Sequence, residues 1–389
     1  MKQLRNAFVP TLRYAVCILL LGLLVSAYSV KAHAELVQSS PAANAVLDAA
    51  PAEIRLTFTE PLEASFSQFS LRSTDGSTVN TPPSAIDPDD AYTLVMLPGA
   101  LPNGVYTVSW RVVSAADGHS TAGSFPFSIG VAIGELTAVS DNLRGEIRAE
   151  AVVVRWTYLL YISLTVGGLG FVVMLWLPNN LREQVEVDGA LHKTLLGAWV
   201  LLGITHVLML ALQTAISADI PLRDTFASGL IERLLTVTRF GQLWIVQLIL
   251  WAAIGVILLG VPRLGNRRGF YTAAFILGVV FLLFHSLFSH ASAADNEGVA
   301  VAADWLHLSA TSLWFGGLAL LVQVIIAARK LPNRTEFLAQ LVGLFSNYAR
   351  VCVVALILTG IYAAWLQVGS IDALLATHYG RALLVKLIM

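Results

Sequence analysis

The sequence predicts an all-β sandwich followed by an α-helical polytopic membrane bundle. Three observations predict it. The 389-residue chain is 56% hydrophobic and only 13% charged, about half the charged share of an ordinary soluble domain. That excess is uneven: residues 33–130 have ordinary polarity and frequent turn signals, whereas long apolar segments fill the chain from Ala151 onward. A short N-terminal segment, basic and then apolar, precedes both parts. The net charge of -1 gives no basic footprint, so nucleic acid is excluded as a partner. The two cysteines, Cys17 and Cys352, both lie in apolar runs and supply neither a disulfide framework nor a thiolate zinc site.

Residues 1–32 read as a secretory signal. Lys2, Arg5 and Arg13 form the basic region, Ala15 to Val25 the apolar run, and small residues end it at Ala32 or Ala34. The run is shorter than the roughly 20 residues of a membrane span, which favours cleavage over anchoring. The chain beyond the signal then lies outside the cytoplasmic membrane.

Residues 33–130 carry the β signals. IRLTFTEPL alternates apolar and polar positions, and FSQFSLRS, YTLVML, GVYTVSWRVV and GSFPFSIG do so less strictly. Between them stand Thr74-Asp75-Gly76-Ser77, Asp87-Pro88-Asp89-Asp90, Pro98-Gly99 and Pro102-Asn103-Gly104. Short alternating runs at this spacing predict an antiparallel sandwich or barrel. Residues 131–150 read as a linker.

The region 151–389 contains apolar segments near 151–177, 193–216, 240–261, 270–290, 303–327 and 343–367, each close to a bilayer-crossing length. Backbone satisfaction in lipid requires them to be helices. With the β region outside, the loops after the first, third and fifth spans are cytoplasmic. The third loop holds Arg263, Arg267 and Arg268, and the fifth holds Arg329, Lys330 and Arg334. The outside loop ASAADNEGVA has Asp295 and Glu297 and no basic residue. This agrees with the positive-inside rule; Arg223, Arg233 and Arg239 after the second span run against it. RALLVKLIM reads as a truncated seventh span, as in a fragment. Gly167, Gly168, Gly170, Gly316 and Gly317 predict close helix packing. Trp156, Trp176, Trp244, Trp305 and Trp365, near span ends, predict an interfacial belt.

The chemistry rests on eight histidines. If the signal is cut after Ala32, His33 becomes the mature N-terminus. Its free amine and Nδ1 can then chelate one ion in a six-membered ring, an arrangement suited to tetragonal Cu(II). Asp117 and His119, at i and i+2 in extended chain, point the same way and can complete the ligand set. A cut after Ala34 would remove His33. In the helical part, His290 ends the fourth span and His307 opens the fifth, with Asp304 one turn before His307 on the same face. Ionisable groups at membrane depth suggest a pathway. His206 and His285 lie deeper. His206 and Met209 share a face, and imidazole plus thioether suits Cu(I). His285 and His290 lie about 140° apart around a helix and do not share a face.

HAELVQSSPAANAVL, AEIRLTFTEPLE and VSWRVVSAADGHSTAGSFPFSI together resemble the periplasmic copper-binding protein CopC along its whole length. The resemblance implies a Greek-key β-sandwich that binds Cu(II) through His33, Asp117 and His119, with Glu60 as an acidic neighbour. The Met-rich Cu(I) site of some members has no counterpart, because EASFSQFSLRSTDGSTVN contains no Met or His. FSHASA, ADWLHLSATSLWFGGL, FSNYARVCVVALILTGIY and HYGRALLVK resemble CopD over about 151–389. The chain thus resembles a CopC–CopD fusion, for which the resemblance implies copper homeostasis and resistance.

The leading expectation is a transporter of the bacterial cytoplasmic membrane, capturing Cu(II) outside and passing copper inward. The expected partners are copper ions, the lipid bilayer and periplasmic or cytosolic copper chaperones. Alternatives are a membrane-anchored copper buffer or sensor, and a b-type haem protein using His206, His285, His290 and His307. An enzyme is not expected. A terminal His with a second His resembles the copper brace of polysaccharide monooxygenases, but Asp117 would fill the position that oxygen chemistry needs open.

Overall fold

The computed structural model describes residues 34–73, 77–115, 118, 120–131, 149–218, 220–227, 229–261, 267–287 and 296–368. The expected signal peptide, most of the linker and the expected seventh segment lie outside them. The described chain divides into two compact units: one joins the β region to residues 208–244, and the other holds the rest of the helices.

Among the described residues the first unit contains eight strands: β1 (Leu36–Ser40), β2 (Val46–Leu47), β3 (Ile54–Phe58), β4 (Gln68–Ser73), β5 (Ala85–Asp87), β6 (Asp90–Met96), β7 (Gly104–Val113) and β8 (Ser120–Ile129). They form two four-stranded sheets, ordered β1-β3-β6-β5 and β2-β8-β7-β4. All pairs are antiparallel except β2 with β8. In β3 the alternation decides the facing: Ile54, Leu56 and Phe58 are buried, while Arg55 and Thr57 are not. They meet Leu71, Leu94, Val108 and Phe127 in one core, each such side chain contributing about 1.5–3 kcal/mol of transfer free energy.

β7 and β8 pair over their full lengths, from Gly104 opposite Ile129 to Val113 opposite Ser120. Gly123 faces Trp110 in this ladder, and a Cβ there would overlap the indole. The indole also meets Phe58 edge-on, with centroids 5.2 Å apart. Asp87 closes the β5–β6 hairpin, accepting from the Asp89 amide at 3.0 Å and pairing with Arg55 of β3. The edge segments β1, β2 and β5 are not among the strands that periodicity predicts. LVQSS, VL and AID are too short or too polar to alternate, and neighbouring strands recruit them.

Seven α-helices are described after the sandwich: α1 (Ala149–Phe171, continued by a π-helical turn Val172–Trp176), α2 (Asp188–Ala218), α3 (Leu230–Val237), α4 (Arg239–Gly260), α5 (Arg267–Ser286), α6 (Glu297–Ala327) and α7 (Arg334–Val368). All but α3 are long and apolar enough to cross a membrane, making six candidate spans among the described residues. Their unburied faces are apolar too, as at Val256, Ile249 and Trp156, which in water would be a liability and in lipid is not.

The glycines act as expected. A Cβ at Gly167 would overlap the Ser312 carbonyl, and one at Gly316 would overlap the Ser163 carbonyl, so α1 and α6 meet backbone to backbone. The tryptophan expectation needs correction. Trp156 and Trp365 are exposed as a belt requires, but Trp176 and Trp244 are buried, and Trp305 Nε1 donates to the Val279 carbonyl at 2.9 Å. An indole N–H inside the bundle finds a protein acceptor and stays there. Two other tryptophans join α2 to α4. Trp199 and Trp251 stack 4.7 Å apart, and each donates its indole N–H to the other's carbonyl at 2.9 Å. Gly203 and Gly255, each one turn further on, make room for the partner ring.

Candidate metal centre and membrane histidines

Three of the expected sandwich ligands, His33, Asp117 and His119, lie outside the described residues, as does His290. Their described neighbours are held tightly. Ala34 is fully buried, and its carbonyl accepts from Thr121 Oγ1 at 2.7 Å. Glu35 and Thr59 exchange two hydrogen bonds, the Glu35 amide donating to Thr59 Oγ1 and the Thr59 amide to the Glu35 carbonyl, each 2.9 Å. Ala115 donates to the Pro61 carbonyl at 2.9 Å, and Leu62 bridges Ser114. The residue after His33 is therefore bonded two residues beyond His119, and the next one is bonded beside Glu60. Chain segments some 25 and 85 residues apart meet at one end of the sandwich.

Glu60 itself is buried, just past β3 and before the segment that is bonded to Ser114 and Ala115. Gly118, between Asp117 and His119, has φ +75°, a conformation that glycine adopts without a Cβ clash. Its amide donates to the Ser114 carbonyl at 3.0 Å. Its carbonyl accepts from Gln213 Nε2, near the C-terminal end of α2, at 2.7 Å.

Gln213, Ser217, Leu234 and Phe240 surround this loop together with Glu63 and Arg239. Burial pushes the Glu63 carboxyl above its ordinary range, and the Arg233 guanidinium partly offsets this. Arg233 and Arg239 thus belong to the part of the chain that packs on the sandwich. For Arg233 this is a physical reason for the departure from the positive-inside pattern: it lies within electrostatic range of the Glu63 carboxylate.

In the second unit, side chains from four helices connect the histidines. His206 on α2 is buried and stacks on Tyr158 of α1, with centroids 5.9 Å apart. Tyr158 also lies 5.3 Å from the His285 ring, tilted at 45°, its hydroxyl 3.4 Å from His285 Nδ1. Gln247 of α4 lies near the Tyr158 hydroxyl and donates to the Phe281 carbonyl at 3.1 Å. Asp304 of α6 is close enough to interact electrostatically with both His285 and His307. The series His307, Asp304, His285, Tyr158, His206 therefore links α6, α5, α1 and α2. Met209 stands one turn after His206 and is half-buried.

Sequence reasoning missed Tyr158, Gln247 and Thr359. Thr359 Oγ1 donates to the Ala355 carbonyl at 2.6 Å, which uses its only hydrogen. At 2.9 Å from His307 Nδ1 it must then accept from that nitrogen. The proton is placed on Nδ1, and Nε2 keeps its lone pair. This is how an outer hydrogen bond prepares an imidazole to ligate. A threonine inside an apolar span was the available signal. Among the described residues no three His, Cys, Asp or Glu side chains converge on one point, so the series consists of separated stations.

A β-sandwich joined to a polytopic bundle with histidines in both is the architecture of a two-module copper-handling membrane protein. Family models match accordingly: the CopC domain at residues 36–130, the copper resistance protein D-like N-terminal domain at 147–301, and copper resistance protein D at 339–389. The chain is 31% identical over 377 residues to the copper transport protein CutJ of Bacillus subtilis, covering 95% of this chain and 68% of that protein. It is 39% identical over 114 residues to copper resistance protein C of Pseudomonas syringae pv. tomato, covering 28% of this chain and 88% of that one. The crystal structure of CopC from Methylosinus trichosporium OB3b is 30% identical, covers 25% of this chain and 93% of that chain, and superposes with a TM-score of 0.24. The chain belongs to the CopC–CopD family of copper resistance and transport proteins, and is a multi-pass membrane protein.

Proposed function

We propose that the sandwich captures Cu(II) outside the cytoplasmic membrane and that the bundle passes copper inward. The capturing ligands are the His33 amine and imidazole, Asp117 and His119, with Glu60 beside them. The observation that supports this best is the bonding of Ala34 to Thr121 and of Glu35 to Thr59, which ties down the chain next to three of the four residues. Burial of Ala34 supports cleavage after Ala32, since a cut after Ala34 would remove a core residue as well as His33. The relatives' names carry copper to this chain, and the soft and hard donor sets argue for its two oxidation states in the two modules.

Inside the membrane, copper would move from His290 and His307 past Asp304 and His285 towards His206 and Met209. The haem alternative has less support: Tyr158 lies against both His206 and His285 and fills space beside both imidazoles that a macrocycle would need. N-terminal sequencing of the mature protein combined with Cu(II) titration tests the capture step. A chain beginning at His33 and binding one Cu(II) is expected, and one beginning at Glu35 overturns it. Cellular copper accumulation tests the direction: deletion lowers it under this reading. Unchanged accumulation in a His307→Ala variant would instead favour an anchored buffer.

A further inference from the structure

A cavity of about 140 Å³ lies at the end of the second unit where α1 finishes and α2 and α5 begin. The copper pathway does not use it. Its walls are apolar on one side, with Val172, Leu191 and Val261, and polar on the other, with Asp188, His192, Arg267 and Tyr271. Room for one water needs about a tenth of this volume, so the space holds a group of several heavy atoms.

The polar side can be accounted for atom by atom. Asp188 is fully engaged: Oδ1 accepts from Trp176 Nε1 at 2.7 Å, and Oδ2 accepts from Arg182 Nε at 2.8 Å and pairs with the Arg182 terminal nitrogen at 2.8 Å. That pair is neutral and closed, so the cavity offers no spare carboxylate to a cation. His192 Nδ1 lies 2.8 Å from the Tyr271 hydroxyl, while its buried Nε2 has no hydrogen-bond partner. A buried ring nitrogen left so costs free energy unless a ligand meets it. Arg267 also lines the cavity, and among the described residues no carboxylate pairs with it. Asp188 and Arg267 are the first residues of α2 and α5, so the positive ends of two helix dipoles lie there.

We propose that this cavity binds a phosphate-bearing anion, with Arg267 and His192 Nε2 holding its oxygens. The apolar wall and the position at a membrane boundary favour the headgroup and glycerol of an anionic phospholipid; free phosphate shares the same chemistry. Arg267 lies at the end that the positive-inside distribution places in the cytoplasm, so the lipid would come from the inner leaflet, where basic pockets between helices select anionic headgroups.

The test uses the full chain in nanodiscs of phosphatidylglycerol and phosphatidylcholine, with lipid retention read by native mass spectrometry. Phosphatidylglycerol should be retained over phosphatidylcholine, and Arg267→Gln should cut that preference about fivefold, the weight of one cation at a membrane surface. His192→Gln should cut it as well, and Arg267→Lys should keep most of it. In a second arm, inorganic phosphate is titrated against thermal melting of the detergent-solubilised chain. Stabilisation by phosphate in the wild type and not in Arg267→Gln, without a lipid preference, supports the site with free phosphate as its occupant. No lipid preference and no phosphate response in the wild type overturns the proposal, as does the same response in both variants. Should Arg267→Gln fail to fold, His192→Gln and the salt dependence of the wild-type phosphate response decide, because binding through the guanidinium must weaken as salt rises. Copper titration of the same preparations reads the sandwich separately.

Discussion

The sandwich and the bundle build their sites by opposite routes. At the sandwich end, residues far apart in sequence are drawn together by hydrogen bonds between the main chain and threonine hydroxyls, as when Ala34 meets Thr121 and Glu35 meets Thr59. The expected ligands there flank these bonded segments, so a compact set is expected. In the bundle, each imidazole of the series sits on its own helix and shares a neighbouring side chain with the next: Tyr158 lies against both His206 and His285, and Asp304 acts electrostatically on both His285 and His307. A compact set holds an ion, and separated stations let it move on. The difference matches capture in one module and passage in the other.

If that contrast is right, the largest effects come from breaking the compact set. His119→Ala, or an extra residue placed ahead of His33, should lower Cu(II) affinity about a hundredfold or more, read by competition titration of the mature chain. Losing a ligand exceeds the 10- to 100-fold that losing an outer hydrogen-bond partner costs. An extended N-terminus that binds as tightly as the wild type would show that the terminal amine is not a ligand.

Next is the preparation of His307. Thr359→Val removes the acceptor that fixes the Nδ1 proton while keeping the side-chain shape. Copper uptake should fall about tenfold, short of the loss in His307→Ala, and sandwich affinity should not change. Equal uptake in wild type and Thr359→Val would remove the tautomer argument and leave Thr359 a packing residue.

Helix contacts give smaller, structural effects. Trp199→Phe deletes one of the two reciprocal indole bonds between α2 and α4 and should cost about 0.5–1.5 kcal/mol. Gly316→Ala forces a methyl into the Ser163 backbone and should cost about 1–3 kcal/mol through overpacking. Thermal melting of the solubilised chain checks both, and Gly316→Ala should be the more damaging.

Legibility in the sequence divides along the same contrast. Strand β3 was readable because Ile54, Leu56 and Phe58 alternate, and six spans were readable because lipid demands length and apolarity. The glycines at 167 and 316 were readable because close helix approach needs them. Strands β1, β2 and β5 were not, because partners on other strands decide them. Nor were Tyr158 and Gln247: a polar side chain within one helix announces itself, but not which helix it will face. Trp176 and Trp244 misled for that reason, since position near a span end does not reveal whether an acceptor waits inside.

The smallest expected effect concerns the far edge of the sandwich and separates fold from site. Asp87 is held below the ordinary carboxylate range, first by the Asp89 amide and then by Arg55. Linkage gives the sign: a carboxylate whose folded value is lowered adds stability above its unfolded value near pH 4 and loses it as pH falls through the folded value. Hydrogen exchange in the full chain should therefore show β3 and β5 amides losing protection in acid below about pH 4. Asp87→Asn should show reduced protection already at neutral pH, with little further acid loss. The pair is partly open to solvent, so the change should be slight. It should leave Cu(II) affinity untouched at neutral pH, because Asp87 joins the hairpin and sits in the sheet edge opposite β1, whereas Ala34 and Glu35 lead into β1 and anchor the expected ligands. A variant that weakened Cu(II) binding as well would mean that the site draws on the whole sheet and not on its local hydrogen bonds.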